Sequence, residues 1–140
     1  MVVSEKKKIL RVLDVNFNRA KEGLRICEDV TRFIFDRKKE TLAYKNIRHQ
    51  LTELLSEMKS AKKNIICTRN IIKDVGKKTV LTEFKRKNIE DIFYANSQRS
   101  KESIRVLEEF TKLFDFKKAE AFKKMRYRIY ELERRIVSLF

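Results

Sequence analysis

Residues 16–31 read NFNRAKEGLRICEDVT, and residues 96–111 read NSQRSKESIRVLEEFT. Over the 80 residues that separate them, Asn, Arg, Glu, Arg and Glu hold one register as Asn16, Arg19, Glu22, Arg25 and Glu28, then Asn96, Arg99, Glu102, Arg105 and Glu108. The segments that follow also match. Ala43, Lys45, Arg48, Leu51, Glu53 and Leu54 answer Ala121, Lys123, Arg126, Ile129, Glu131 and Leu132. Two generic basic helices would not share that order by chance, so the chain is an internal duplication. Each copy has an apolar stripe at helical spacing. A helical hairpin with one such face must bury it against another element, and the second copy supplies that element. The expected fold is all-α: a duplicated helical hairpin forming a bundle of four long helices, with approximate twofold symmetry and a long central connection.

The rest of the chain agrees. There is no proline, and the only glycines are Gly23 and Gly76, too few turn residues for a β-rich domain of this size. Asp14 reads as the cap of a helix running to about Asp36, followed by helices over about Lys39 to Ser60, Asn88 to Phe114 and Phe116 to Ser138. Ala61 to Lys87 lacks sustained periodicity and carries the turn signal Asp74-Val75-Gly76. A connection that long in a compact domain is often functional. The 140 residues read as one domain, 1–140, with repeats over roughly 11–60 and 88–140. Cys27 and Cys67 match neither a disulfide scaffold nor a zinc motif, and Cys27 lies on an apolar face. No apolar run approaches the roughly 20 residues that span a bilayer, and Ser4 to Lys8 precedes only a short one. A cytoplasmic protein without a membrane partner is expected.

A net charge of +15 calls for an anionic partner. The duplicated helices suggest where it binds. In the first copy Ala20, Gly23, Leu24, Cys27, Val30 and Ile34 form the stripe, with Asn16 inside it and Arg19 at its edge. Asn96 and Arg99 repeat the irregularity. Polar groups turned toward a core need partners. One account is a clamp, Arg19 with Glu22 and Arg99 with Glu102, one turn apart. The other is a cleft between the hairpins, where guanidinium groups grip phosphate oxygens in pairs and the amides bond a heterocycle or a phosphate. Arg25, Glu28, Asp29, Arg32 and their counterparts read as a salt-bridged outer face or as carboxylates for Mg2+. His49 stands alone, so triad hydrolases have no support. Gly76-Lys77-Lys78-Thr79 lacks the earlier glycine of a phosphate-binding loop, Ile71 standing in its place.

Six stretches carry a resemblance: residues 11–29, Arg48-His49, Asp74-Val75-Gly76, Ala95-Asn96 to Arg99, Glu102 to Glu109, and Arg126 to Glu133. They resemble a small helical family tied to thiamine biosynthesis, whose members occur alone or fused to thiamine phosphate synthase. The chain is similar to the stand-alone hydroxymethylpyrimidine phosphate kinases of that family. The resemblance implies transfer of the γ-phosphoryl of ATP, with Mg2+, to a small phosphorylated pyrimidine. Thiamine phosphate synthase, which consumes the diphosphate, becomes a partner to consider, and self-association stays open. Arg69-Asn70 and Lys77 depart from the family pattern, in which an arginine-aspartate pair and a threonine are expected.

Helix geometry then suggests the roles. Arg19, Arg48, Arg99 and Arg126 are expected to hold phosphate, joined by Arg69 from the connection. Asn16 and Asn96 would orient the pyrimidine or a phosphate. Asp74 is the candidate base or Mg2+ ligand, with Glu22 and Glu102 as further candidates for the metal. Two alternatives are non-catalytic: an accessory module of thiamine phosphate synthase, or a basic module for nucleic acid. The latter is opposed by interleaved acids and the lack of any nucleic-acid motif.

Overall fold

The computed structural model describes residues 2–58, 66–78 and 85–140. Four long helices make up the described chain: α1 (Val3–Asp29), α2 (Lys38–Glu57), α3 (Ile89–Thr111) and α4 (Phe116–Val137). No described residue lies in a strand. The hairpins α1–α2 and α3–α4 each pack internally, and α1 packs most extensively of all against α3. Leu13, Leu24, Tyr44, Leu51, Phe93, Ile104, Leu107, Phe122, Met125 and Ile129 are essentially inaccessible and form one core drawn from all four helices.

The first helix begins eleven residues earlier than its sequence signal. Asp14 is no cap, because α1 starts at Val3. Ile9 and Leu13 are buried on the same stripe as Phe17, Ala20, Leu24 and Cys27, so the 3–4 spacing runs on toward the N-terminus past Asp14. At the other end, Val30–Ile34 widens into a π turn, and Asp36 takes a left-handed conformation (φ 51°) before α2. Asn88 and Asp115 cap α3 and α4, each accepting a backbone N–H three residues on. Ser60 and Ala61, named above as bounds of the second helix and the connection, and Thr79 lie outside the described residues.

Small residues let α1 and α3 cross closely. The Ser100 hydroxyl donates to the Ala20 carbonyl at 3.3 Å. A Cβ placed on Gly23 would stand 2.7 Å from the Asn96 carbonyl oxygen and 2.3 Å from Ser100 Oγ. The serine has little room to turn, and the carbonyl belongs to the α3 backbone. Gly23→Ala should therefore destabilise the protein by about 1–3 kcal/mol, despite alanine's better helix propensity. Chemical denaturation checks this, with a lower midpoint and an unchanged slope expected.

The duplication reappears as a repeated ionic network. In the first hairpin Arg48 Nε donates to buried Glu28 at 3.0 Å, and Arg25 reaches Glu28 and Asp29. In the second, Arg126 Nε and Nη2 donate to buried Glu108 at 3.2 and 3.0 Å, and Arg105 reaches Glu108 and Glu109. These bonds tie each hairpin's two helices together. They lift the Arg126 guanidinium above its ordinary pKa, although burial itself works against the charge.

Candidate functional site

Two adjoining hollows open on the exposed side of α1. The first, about 700 Å3, lies between α1 and the central connection. Helical spacing puts Lys8, Arg11, Val15, Arg19 and Glu22 on one face of α1, and Arg69, Asn70, Ile71 and Asp74 close the opposite wall. The second, about 480 Å3, lies between α1 and α3 and is lined by Asn16, Arg19, Arg99, Glu102 and Ser103, with Gly76 of the connection. Arg19 lines both.

The connection is held to α1 by a clamp. Arg69 Nε and Nη2 donate to the two carboxylate oxygens of Asp14 at 2.7 and 2.8 Å. The fork geometry suits guanidinium and carboxylate, and these hydrogen bonds raise the Arg69 pKa above its usual value. Asp74 organises the next turn, its Oδ1 accepting the Gly76 N–H at 2.9 Å. The clamp therefore brings Asp74 to the first hollow and Gly76 to the second. Because Arg69 is half-exposed but Asp14 is buried, Arg69→Ala should lower global stability by no more than about 1–3 kcal/mol. Limited proteolysis should nevertheless cut within residues 66–78 markedly faster, with the helices left intact.

The clamp account of the duplicated arginines is not what the structure holds. Arg99 faces Glu22 across the α1–α3 crossing at 3.9 Å, and Glu102 accepts from Gln98. The side chains of Lys8, Arg11 and Arg19 make no ion pair or hydrogen bond among the described residues. Three unpaired cations thus share one face of α1. Asn16 is buried, and its amide N–H donates to the Val12 carbonyl at 2.8 Å, leaving the amide oxygen for a donor. Asn96 bonds Ile92 in the same way but lines neither hollow.

Of the residues expected at the site, Asn16, Arg19, Arg69, Asp74, Glu22, Arg99 and Glu102 come together around these hollows. Arg48 and Arg126 do not. They lie inside their hairpins against Glu28 and Glu108, where a buried carboxylate without them would keep only the distant, half-exposed Arg25 or Arg105. Lys8 and Arg11 lie outside a helix that starts at Asp14, and the sequence gives no sign of their part in the site. Continuing the stripe through Ile9 would have placed them on the helix. The Asp14–Arg69 pair spans 55 positions and leaves no local signal. Among the described residues no three His, Cys, Asp or Glu side chains form a metal cluster, and no helix is long and apolar enough to cross a membrane.

Fold and site define a duplicated four-helix domain with a basic cleft at the contact between its halves. The chain belongs to the ThiD2 family, whose model matches residues 11–135. It is 37% identical over 134 residues to a thiamine-phosphate synthase of Nostoc punctiforme, covering 93% of this chain and 36% of that protein. It is 34% identical over 135 residues to one from Prochlorococcus marinus, covering 96% and 37%. It is also 32% identical over 144 residues to one from Rhodopirellula baltica, covering 99% and 38%. The chain thus spans just over a third of the length of these relatives. The matches link this helical domain to thiamine biosynthesis. No solved structure matches the chain.

Proposed function

We propose that the chain is a phosphotransferase that moves the γ-phosphoryl of ATP onto hydroxymethylpyrimidine phosphate, giving the diphosphate. The observation that carries this reading is Arg19: a guanidinium with no partner among the described residues, shared by two hollows each large enough for a small ligand. The match to thiamine-phosphate synthases supplies the chemical setting.

The acceptor in this reaction is itself a phosphate. Its second ionisation lies near pH 6, so at neutral pH the attacking oxygen is already an anion. A base is not required. The site has to bring two anions together and screen their repulsion, which is the work of positioned cations. The acceptor oxygen forms a bond to the γ-phosphorus while the bond from that phosphorus to the β–γ bridging oxygen breaks, and ADP leaves with the electron pair. Arg19, which lines both hollows, grips the equatorial oxygens, and Arg99 screens the acceptor. Asp74 serves as an organiser of the connection and an oxygen ligand for magnesium in place of a general base.

Magnesium bound to nucleotide usually keeps several waters and takes only one or two protein carboxylates. Glu22 and Asp74, hard oxygen donors beside the larger hollow, fit that demand. When bound, the ion neutralises phosphate charge. The test is an ADP-release assay on the purified chain, with and without hydroxymethylpyrimidine phosphate. Release that depends on the acceptor supports the reading, and its absence overturns it.

A non-catalytic reading draws on one observation, that the relatives carry the matching segment as about a third of a longer chain. An accessory domain would co-purify with a thiamine-phosphate synthase and release no ADP under the same conditions.

A further inference from the structure

The two hollows differ in ways that the duplication alone would not produce. Asp14, which fixes Arg69, corresponds to Tyr94 in the second copy, so the clamp and the wall it holds exist on one side only. Resting on the phosphotransferase reading, we infer that the site is divided: the α1–connection hollow takes the nucleoside triphosphate, the α1–α3 hollow takes the phosphorylated pyrimidine, and Arg19 is the wall between them.

Size and charge support the order. The larger hollow runs beside α1 from Lys8 to Glu22, fourteen residues or about 21 Å at the helical rise, enough for a nucleoside and its phosphates laid lengthwise. Lys8, Arg11 and Arg19 give it three unpaired cations, in proportion to the charge of a triphosphate. Val12, Val15 and Ile71 add apolar surface on which a base can lie. The smaller hollow has two guanidinium groups, Arg19 and Arg99, which suit one phosphomonoester. It also has two acceptors, the Asn16 amide oxygen and the Glu102 carboxylate, which an all-phosphate pocket would not want. An amino-substituted heterocycle supplies the N–H donors that those oxygens need. Arg19, common to both, is placed where the γ-phosphoryl and the acceptor phosphate would meet.

The test separates the two Michaelis constants. Arg11→Gln should raise KM for Mg-ATP by about 10–100-fold, the usual worth of a charged hydrogen bond, and leave KM for the pyrimidine monophosphate within about twofold. Arg99→Gln should do the reverse and also narrow the preference for the monophosphate over the unphosphorylated alcohol. Arg19→Gln should act chiefly on kcat. Circular dichroism and melting curves show whether each variant is folded, and Arg11→Lys and Arg99→Lys replace any that is not. If the wild-type chain turns over but both variants shift both constants, or shift them in exchanged order, the division is wrong and the enzymatic reading stands. If the wild-type chain shows no acceptor-dependent ADP release, both fall together.

Discussion

Arg19→Gln should lower turnover of hydroxymethylpyrimidine phosphate by about 10³-fold or more, with a melting temperature close to that of the parent chain. The size follows from other phosphoryl transfers, in which one arginine stabilising transition-state charge is worth about 10³–10⁵ in rate. The small effect on folding follows from its surroundings. Arg19 is exposed and its side chain makes no ion pair or hydrogen bond among the described residues, and substitutions at such sites usually fall within about 0.5 kcal/mol of neutral. Steady-state kinetics alongside calorimetric melting checks both halves. Equal loss of activity and folding would make Arg19 a structural clamp after all.

Arg126→Ala should give the opposite pattern, a large loss of stability. Glu108 is 3% exposed, and the Arg126 side chain only 12%. Removing the guanidinium leaves a carboxylate sealed in the hairpin without its two hydrogen bonds, and breaking such a pair costs about 3–5 kcal/mol. For a domain of this length that corresponds to a fall in Tm of roughly 10–20 °C. Arg48→Ala should act in the same direction through Glu28. Restoring neutrality tests the cause: Glu108→Gln combined with Arg126→Ala should recover part of the loss, because the stranded charge is gone. A double variant no more stable than Arg126→Ala would point instead to lost packing of the long side chain.

These two arginine classes show where the sequence was legible. The repeat of Asn, Arg, Glu, Arg and Glu fixed the hairpins and their symmetric contact, since periodicity and duplication are carried within single helices. It also brought out Arg19 and Arg99, whose place at the rim of the apolar stripe is a matter of helical angle alone. Arg48 and Arg126 repeat just as faithfully, yet duplication copies a structural pair as readily as a ligand. Only the position of Glu28 and Glu108 on the facing helix distinguishes the two. The Asp14–Arg69 clamp joins residues 55 positions apart through a connection without periodicity, so no pattern announces it. Lys8 and Arg11 are hidden for a local reason: Asp14 is a good capping residue in the abstract, and the continuation through Ile9 and Leu13 is a quieter signal.

The measurement closest to the heart of this account is phosphorus NMR of the purified chain mixed with Mg-ATP and hydroxymethylpyrimidine phosphate, run beside Arg19→Gln. Growth of a coupled pair of diphosphate resonances from the pyrimidine, together with those of ADP, is the expected outcome for the wild-type chain, with almost none from the variant. An unchanged ATP spectrum at high protein concentration, or equal diphosphate yield from both proteins, would contradict it.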